Sequence, residues 1–304
     1  MQQIQWQDRF NIGVEIVDQA HRRLFSIVGK IMELYVERHD SKFACVEGIK
    51  YFKAYALKHF SEEEAYMREI GYAGYAAHKR LHDRMRRETL PDLERELYAT
   101  DFSTAAVQRF IGVCTGWLTG HIMVEDRAIT GRAAGGALFP SDGTEPEQAV
   151  IQTVIVRPLQ ELFGINIQYA GKYSEKDVIT DSCCYEMLYS DREGGPKLRV
   201  AMIMREELLL HAAGQVFGID FFSMDEIARF AICEIAQSLL QRAAACLGRD
   251  SVTYYLERER FLDLDEYRQG RGEPAEQYSL LFCAKRDCFA LCAERIDETS
   301  EQAT

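Results

Sequence analysis

The sequence predicts a multidomain fold: an all-α up-and-down four-helix bundle, then an α+β domain with a mainly antiparallel sheet and long helices. Three observations predict it. Through the first 130 residues apolar side chains recur every three or four positions, the helical period. Beyond residue 148 the pattern alternates as in strands. Between the two lies "GRAAGGALFPSDGTEPEQ", which holds four of the 21 glycines and two of the six prolines. Such a stretch reads as a linker, so the expected domains are 1–130 and 148–304, joined by 131–147.

The helical half divides into "DQAHRRLFSIVGKIMELYV", "KFACVEGIKYFKAYALKHFSEEEAYM", "YAAHKRLHDRMRRETLPDLEREL" and "STAAVQRFIGVCTGWLTGHIMVEDRAI". Breaks fall at His39-Asp40, at "IGYAGY" and at "YATDFS", where Asp101 or Ser103 can cap the fourth helix. Long helices joined by short loops make antiparallel neighbours. In the second half, "INIQYAGKY", "VITDSCCYEMLYS", "PKLRVAMIM", "SVTYYLERERF", "QYSLLFCAK" and "CFALCAERI" read as strands. Helices are expected at "EQAVIQTVIVRPLQELF", "REELLLHAAGQVFG" and "MDEIARFAICEIAQSLLQRAAACLG", the last two ending at glycine.

At 304 residues and 47% hydrophobic composition, each half has enough apolar material for a core. A formal charge of −12 without a Lys/Arg block argues against nucleic acid or an anionic membrane as partner. The start "MQQIQWQDRF" lacks a signal-peptide pattern and no apolar run is long enough for a bilayer, so a cytoplasmic protein is expected. The nine cysteines are odd in number and scattered, hence expected to be free thiols. Cys183, Cys184, Cys283, Cys288 and Cys292 fall on strands and read as small buried hydrophobes.

Six of the seven histidines lie in the first 130 residues. His78 and His82 are one turn apart on the third helix, and His59 and Glu63 one turn apart on the second. His121 and Asp126, five apart on the fourth helix, sit on neighbouring sides of one stripe, and His21 lies on the apolar stripe of the first. A polar cluster buried in a bundle without a cation would carry a large desolvation cost, which metal coordination removes. Five imidazoles and two carboxylates exceed the needs of one ion and fit two. Nitrogen and oxygen ligands without thiolate fit iron or manganese and leave zinc open. Of the three glutamates in "HFSEEE", Glu63 has the ligand spacing, and Glu62 and Glu64 are expected to be peripheral. Trp117, Ile122 and Phe25 lie within a turn of candidate ligands, either as pocket wall or as plain core. His39 and His211 match no pattern.

The order Trp6, "VDQAH", "HFSEEE…M", "GYAGYAAHKRLH", "WLTGHIMVED" resembles the bacterial hemerythrin family over residues 1 to about 130. The resemblance implies a carboxylate-bridged non-haem di-iron site. His78, His82 and His121 would hold one iron and His21 and His59 the other, with Glu63 and Asp126 bridging and an open position for dioxygen. Ala20 departs from the polar residue that many relatives carry before the first ligand histidine.

On the helix "MDEIARFAICEIAQSLLQRAAACLG", Glu234 and Gln237 sit side by side on one face, either a solvated edge or a pair able to orient a water against a phosphoryl group. Residues 148 to 295 are similar to the chemotaxis phosphatase family of CheX, CheC and FliY. In that family a Glu-x-x-Asn motif enters the active site of a phosphorylated response regulator. This chain carries glutamine at 237, and Gln241 where relatives often have glycine. The resemblance implies a CheY-like partner and a homodimer formed through the C-terminal domain. Three readings follow. The bundle senses dioxygen or redox state and regulates the second domain; or the chain is chiefly a regulator phosphatase acting through Glu234 and Gln237; or it stores or delivers oxygen or iron beside a dimerisation domain.

Overall fold

A computed structural model describes residues 6–37, 42–130, 155–164, 166–174, 179, 181–191, 195, 197–218, 221, 225–246, 254–269, 276–284 and 287–296. The expected linker, the break at His39-Asp40 and the start of "EQAVIQTVIVRPLQELF" lie outside the described residues. The chain forms two compact units, Met1–Ala137 with Ala213–Leu239, and Leu138–Ala212 with Leu240–Thr304.

In the first unit the helices are α1 (Glu15–Glu37), α2 (Lys42–Glu69), α3 (Tyr75–Arg84), α4 (Leu90–Ala99), α5 (Thr104–His121) and α6 (Arg127–Ile129). Helix α1 packs on α2 and α5, α2 on α3, and α4 on α5, which closes the bundle. Its interior is filled by Phe25, Val28, Ile31, Phe52, Phe60, Leu93 and Phe110. The N-terminal segment is fastened by Asp18, whose carboxylate accepts from Ile12 N at 2.7 Å and Gly13 N at 3.0 Å. Of the two candidate caps for the fourth helix, Ser103 does the work, accepting from Ala106 N. Asp101 and Phe102 instead take positive φ in the preceding turn.

The third and fourth helices each carry a π-helical turn that the sequence reading did not anticipate. One, Met85–Thr89, precedes Pro91, where Leu90 N–H donates to Met85 O five residues back. Proline has no N–H to donate and crowds the preceding turn, and the widened turn accommodates it without ending the helix. The other, Ile122–Asp126, lies between two candidate ligands and links α5 to α6, with Arg127 N–H donating to Ile122 O.

Also in the first unit are the end of α8 (Glu206–Phe217) and most of α9 (Glu226–Cys246). Gln7 Nε2 and an Arg9 guanidinium nitrogen both donate to Gln215 O, at 2.9 and 2.5 Å, so the N-terminal segment caps the carbonyl end of α8. Gly218 follows with φ +68°, the left-handed stop that favours glycine.

The second unit holds α7 (Arg157–Phe163) and a sheet of β1 (Gln168–Gly171), β2 (Ser182–Asp191), β3 (Lys197–Arg205), β4 (Tyr254–Asp263), β5 (Glu276–Ala284) and β6 (Asp287–Ile296). The order is β1-β5-β6-β3-β2-β4 and every pairing is antiparallel. Cys184, Ala201, Ile203, Ala290 and Cys292 share one face and pack with Tyr173, Ile179 and Tyr267. Tyr267 belongs to a short helix α10 (Leu264–Gln269) absent from the sequence reading. Its signal was present as a capping box: Asp263 Oδ1 accepts from Glu266 N while Glu266 Oε2 accepts from Asp263 N. Cys283 and Cys288, opposite each other on β5 and β6, form a disulfide, which corrects the free-thiol expectation for this pair. The antiparallel register brings their Cα atoms to 4.1 Å, whereas Cys114, Cys183, Cys184, Cys233 and Cys292 form no disulfide.

The polar end of the same sheet face is tied by charges. Glu186 is buried and meets Arg260 at 2.7 Å and Arg199 at 3.3 Å, and Arg199 also meets the buried Glu294 at 3.3 Å. Removing one member of a buried network strands its partners. Glu186→Ala is therefore expected to lower the stability of the folded chain by about 3 kcal/mol in chemical denaturation. A loss below about 0.5 kcal/mol would show that these charges are effectively solvated.

Candidate metal centre

Helical geometry delivers one or two ligand-type side chains from each wall of the bundle: His21 from α1, His59 and Glu63 from α2, His78 and His82 from α3, and His121 from α5. Asp126 comes from the π turn that follows α5. In a regular α-helix, residues five apart point about 140° away from each other, which corrects the expectation that plain helical spacing puts His121 and Asp126 on one stripe. A π turn, closed by a bond to the fifth residue, brings them into line. His121 Nε2 thus lies 3.0 Å from Asp126 Oδ1.

All seven side chains are buried. Every one of the five imidazoles turns Nε2 inward. His21 and His59 face each other at 3.1 Å, and His82 and His121 at 3.0 Å. Glu63 Oε2 lies 3.3 Å from His82, 3.6 Å from His59 and 3.8 Å from His78. Asp126 offers Oδ1 to His78 at 3.3 Å and Oδ2 to His21 at 3.2 Å. Close as they are, both carboxylates and both nitrogens of His78 lack a hydrogen bond of acceptable geometry. The carboxylate oxygens and the inward Nε2 atoms crowd around common points between the groups. The atoms fall into two clusters that share Glu63, one with His78, His82 and His121 and one with His21 and His59.

That arrangement fits cations. With bonds of about 2.1 Å, two nitrogens at right angles about one ion stand about 3 Å apart, the spacing of both facing imidazole pairs. The protonation states are compatible as well. Burial, helped by His21, pushes His59 down to about 3, and burial pushes His121 down to about 4 against the pull of Asp126. Both therefore present neutral nitrogens. Burial works against charge on His78 too, but Glu63 and Asp126 outweigh it and hold its imidazolium up to about 9. Burial would also raise Glu63 and Asp126, yet the histidines around them keep both below the usual carboxylate range.

A surrounding shell fixes the rings. Phe60 stacks on His82 with centroids 4.3 Å apart, and Trp117 stacks on His121 at the same distance. Trp6 lies over His21 at 6.3 Å. Of the three neighbours read as wall or core, Trp117 touches a ligand ring, while Phe25 and Ile122 are fully buried, Phe25 against Trp6 and Phe10.

Glu64 corrects the sequence reading. Expected at the periphery, it is 5% exposed, with Oε1 3.2 Å from His82 Nδ1 and an ion pair to Arg86. A residue one position past a ligand points about 100° away, which here aims it not at solvent but at the far side of the neighbouring helix's histidine. Glu62 is exposed, as expected, and pairs with Lys58. Ala20 is buried. His211 is exposed on α8, and His39 lies outside the described residues.

Glu234 and Gln237 both lie on α9. Glu234 is half-buried and Gln237 is 7% exposed, so neither stands on an open solvated edge.

These features define a cation-binding helical bundle built on imidazole and carboxylate. Residues 12–133 match the family described as the hemerythrin HHE cation binding domain. Bacteriohemerythrin of Clostridium acetobutylicum is 34% identical over 128 residues, spanning 40% of this chain and 95% of that protein. Bacteriohemerythrin of Stenotrophomonas maltophilia is 32% identical over 133 residues, spanning 40% of this chain and 76% of that protein. The chain belongs to the hemerythrin family. Its C-terminal half has distant likenesses among solved structures: CheX of Vibrio vulnificus, 10% identical with a TM-score of 0.37, covering 48% of this chain and 93% of that one. A CheX–CheY–BeF3–Mg complex from Borrelia burgdorferi is 11% identical with a TM-score of 0.37, covering 50% of this chain and 96% of that one.

Because Glu64 holds the outer nitrogen of His82, Glu64→Ala is expected to weaken metal binding about 10- to 100-fold in a chelator competition. Far-UV circular dichroism should be unchanged. Unaltered affinity would mean that His82 is oriented without Glu64.

Proposed function

We propose that the chain is a dioxygen- or redox-responsive di-iron signalling protein of the cytoplasm, whose bundle governs a second domain that acts on a phosphorylated response regulator. The observation that carries the metal half is the convergence of five buried Nε2 atoms and two buried carboxylates whose lone pairs find no donor. In this reading His78, His82 and His121 would hold one iron and His21 and His59 the other, with Glu63 and Asp126 as the carboxylates available to both. A di-iron group, when bound, supplies reversible electron exchange with dioxygen, chemistry that no side chain offers.

The protein's part is to hold and insulate. Neutral His59 and His121 bring lone pairs without having to lose a proton, whereas His78 must release one for its nitrogen to bind. Phe60 and Trp117, stacked on His82 and His121, keep water from that side of the site and fix the ring planes. Glu64 fixes which nitrogen of His82 faces inward.

For the regulator half, the support is the Glu234–Gln237 pair one turn apart on α9. Its amide would orient water towards an aspartyl phosphate while the carboxylate docks against the regulator's lysine or metal. A homodimer through the C-terminal domain is part of the same proposal.

The iron-loaded chain is expected to show a visible charge-transfer band in air that is absent under anaerobic conditions and lost in Glu63→Ala. No oxygen-dependent band would sink dioxygen binding. Added to a phosphorylated CheY-type receiver protein, the chain should speed dephosphorylation and Gln237→Ala should not. Equal rates with and without the amide would remove this role for α9.

A further inference from the structure

Along α5, glycines recur at 112, 116 and 120, one full turn apart, and each faces α9. A Cβ on Gly112 would lie 2.6 Å from Ile227 O and 2.8 Å from Phe230 Cβ. On Gly116 it would lie 2.5 Å from Ala231 Cα, and on Gly120 2.7 Å from Ser238 Oγ and 3.2 Å from Ile235 Cα. No side chain fits at these three positions, so the α5 backbone lies directly against α9 there. Arg109 adds a cation–π contact over the ring of Phe230, 5.7 Å away.

The face of α9 so covered is the one that matters for the regulator reading. At about 100° per residue from Phe230, the contacts at Ile227, Ala231, Ser238 and Ile235 fill an arc of about 140°. Glu234 falls inside it, about 40° from Phe230, and Gln237 sits about 20° beyond its edge. Two further observations agree. The thiol of Cys114 on α5, raised chiefly by its burial, is raised further by the charge of Glu234. Gln237 is itself buried.

Helix α5 also ends in the metal centre. His121 follows Gly120 directly, and Asp126 lies on the π turn that continues the same helix. One element therefore carries ligands on one side and seats α9 on the other.

We propose that the glycine face of α5 is an autoinhibitory seat for α9: while α9 is docked there, Glu234 is turned into the bundle and a receiver domain's aspartyl phosphate cannot reach the pair. This rests on the regulator reading above, and it places the control of that reaction in the α5–α9 contact. A change at His121 or Asp126 that shifts α5 by a fraction of a turn would loosen the seat, because backbones in contact have no side chains to absorb the shift.

The test uses the full metal-loaded chain and a Gly116→Leu wedge, with metal content confirming an intact bundle. Hydrogen exchange reads the seat, and binding of a beryllofluoride-activated CheY-type receiver protein reads access to α9. The wedge is expected to speed exchange across residues 226–239 by at least about tenfold, leave α1 to α4 unchanged, and raise receiver affinity about tenfold. Unchanged exchange in the wedge variant, or wild-type binding as tight as the variant's, overturns the proposal. Faster exchange with no receiver binding in either form supports the seat and removes the regulator reading. If the wedge does not fold, a Gly112→Cys/Ile227→Cys pair reverses the logic. Its oxidised form should lose the receiver binding that dithiothreitol restores, and binding indifferent to that lock overturns the seat.

Discussion

The rest of the structure depends on one electrostatic constraint: seven ligand-type side chains are held out of water in the middle of a helical bundle, with lone pairs converging on one another. Left so, each unpaired buried group costs on the order of 1–3 kcal/mol. The phenylalanines of the bundle interior, Phe25, Phe52, Phe60 and Phe110, offer no hydrogen-bond donors. The arrangement is therefore stable as a container for positive charge and strained without it. Part of that charge is supplied when His78 binds a proton, which its neighbours favour. Cations supply it more completely, since they satisfy several oxygens and nitrogens at once.

This constraint explains local features that would otherwise be liabilities. A π turn weakens backbone hydrogen bonding, yet one stands between His121 and Asp126, where it brings a carboxylate under an imidazole. Glu64 is a buried carboxylate, yet His82 and Arg86 offset its charge and gain a fixed orientation. Helix α5 meets two demands at once, with ligands at its end and three glycines along the side that α9 occupies. Demands this close in sequence make the metal centre and the α9 contact hard to vary independently.

Much of the architecture was legible in the sequence because the two halves differ in hydrophobic period, and period is what burial imposes on a chain. The four helices of the bundle, the six strands and the long helix carrying Glu234 follow from it. The seven convergent side chains were legible for another reason: a histidine on an apolar helical stripe needs a partner, and several helices offered one together. What escaped was set by local backbone chemistry or by tertiary contact. The spacing of five between His121 and Asp126 was visible, but only the π turn gives it meaning. The capping box at Asp263 and Glu266 directly follows a strand, whose alternating pattern masks so short a helix. Glu64 appeared solvated because the second helix alone does not show that His82 of the third stands opposite. The cross-strand pairing of Cys283 and Cys288 depends on a register that cysteine spacing does not reveal. The glycine series on α5 reads as helix-weakening residues until α9 is placed against it.

We propose that the buried cluster exists to hold a pair of metal ions. The most direct measurement is the metal content of the full-length chain purified after expression in iron-replete medium, set beside its thermal unfolding before and after chelation. The account predicts two iron ions per chain and a marked fall in melting temperature when they are removed. A chain that retains no metal, or one that melts at the same temperature with and without it, would contradict the account.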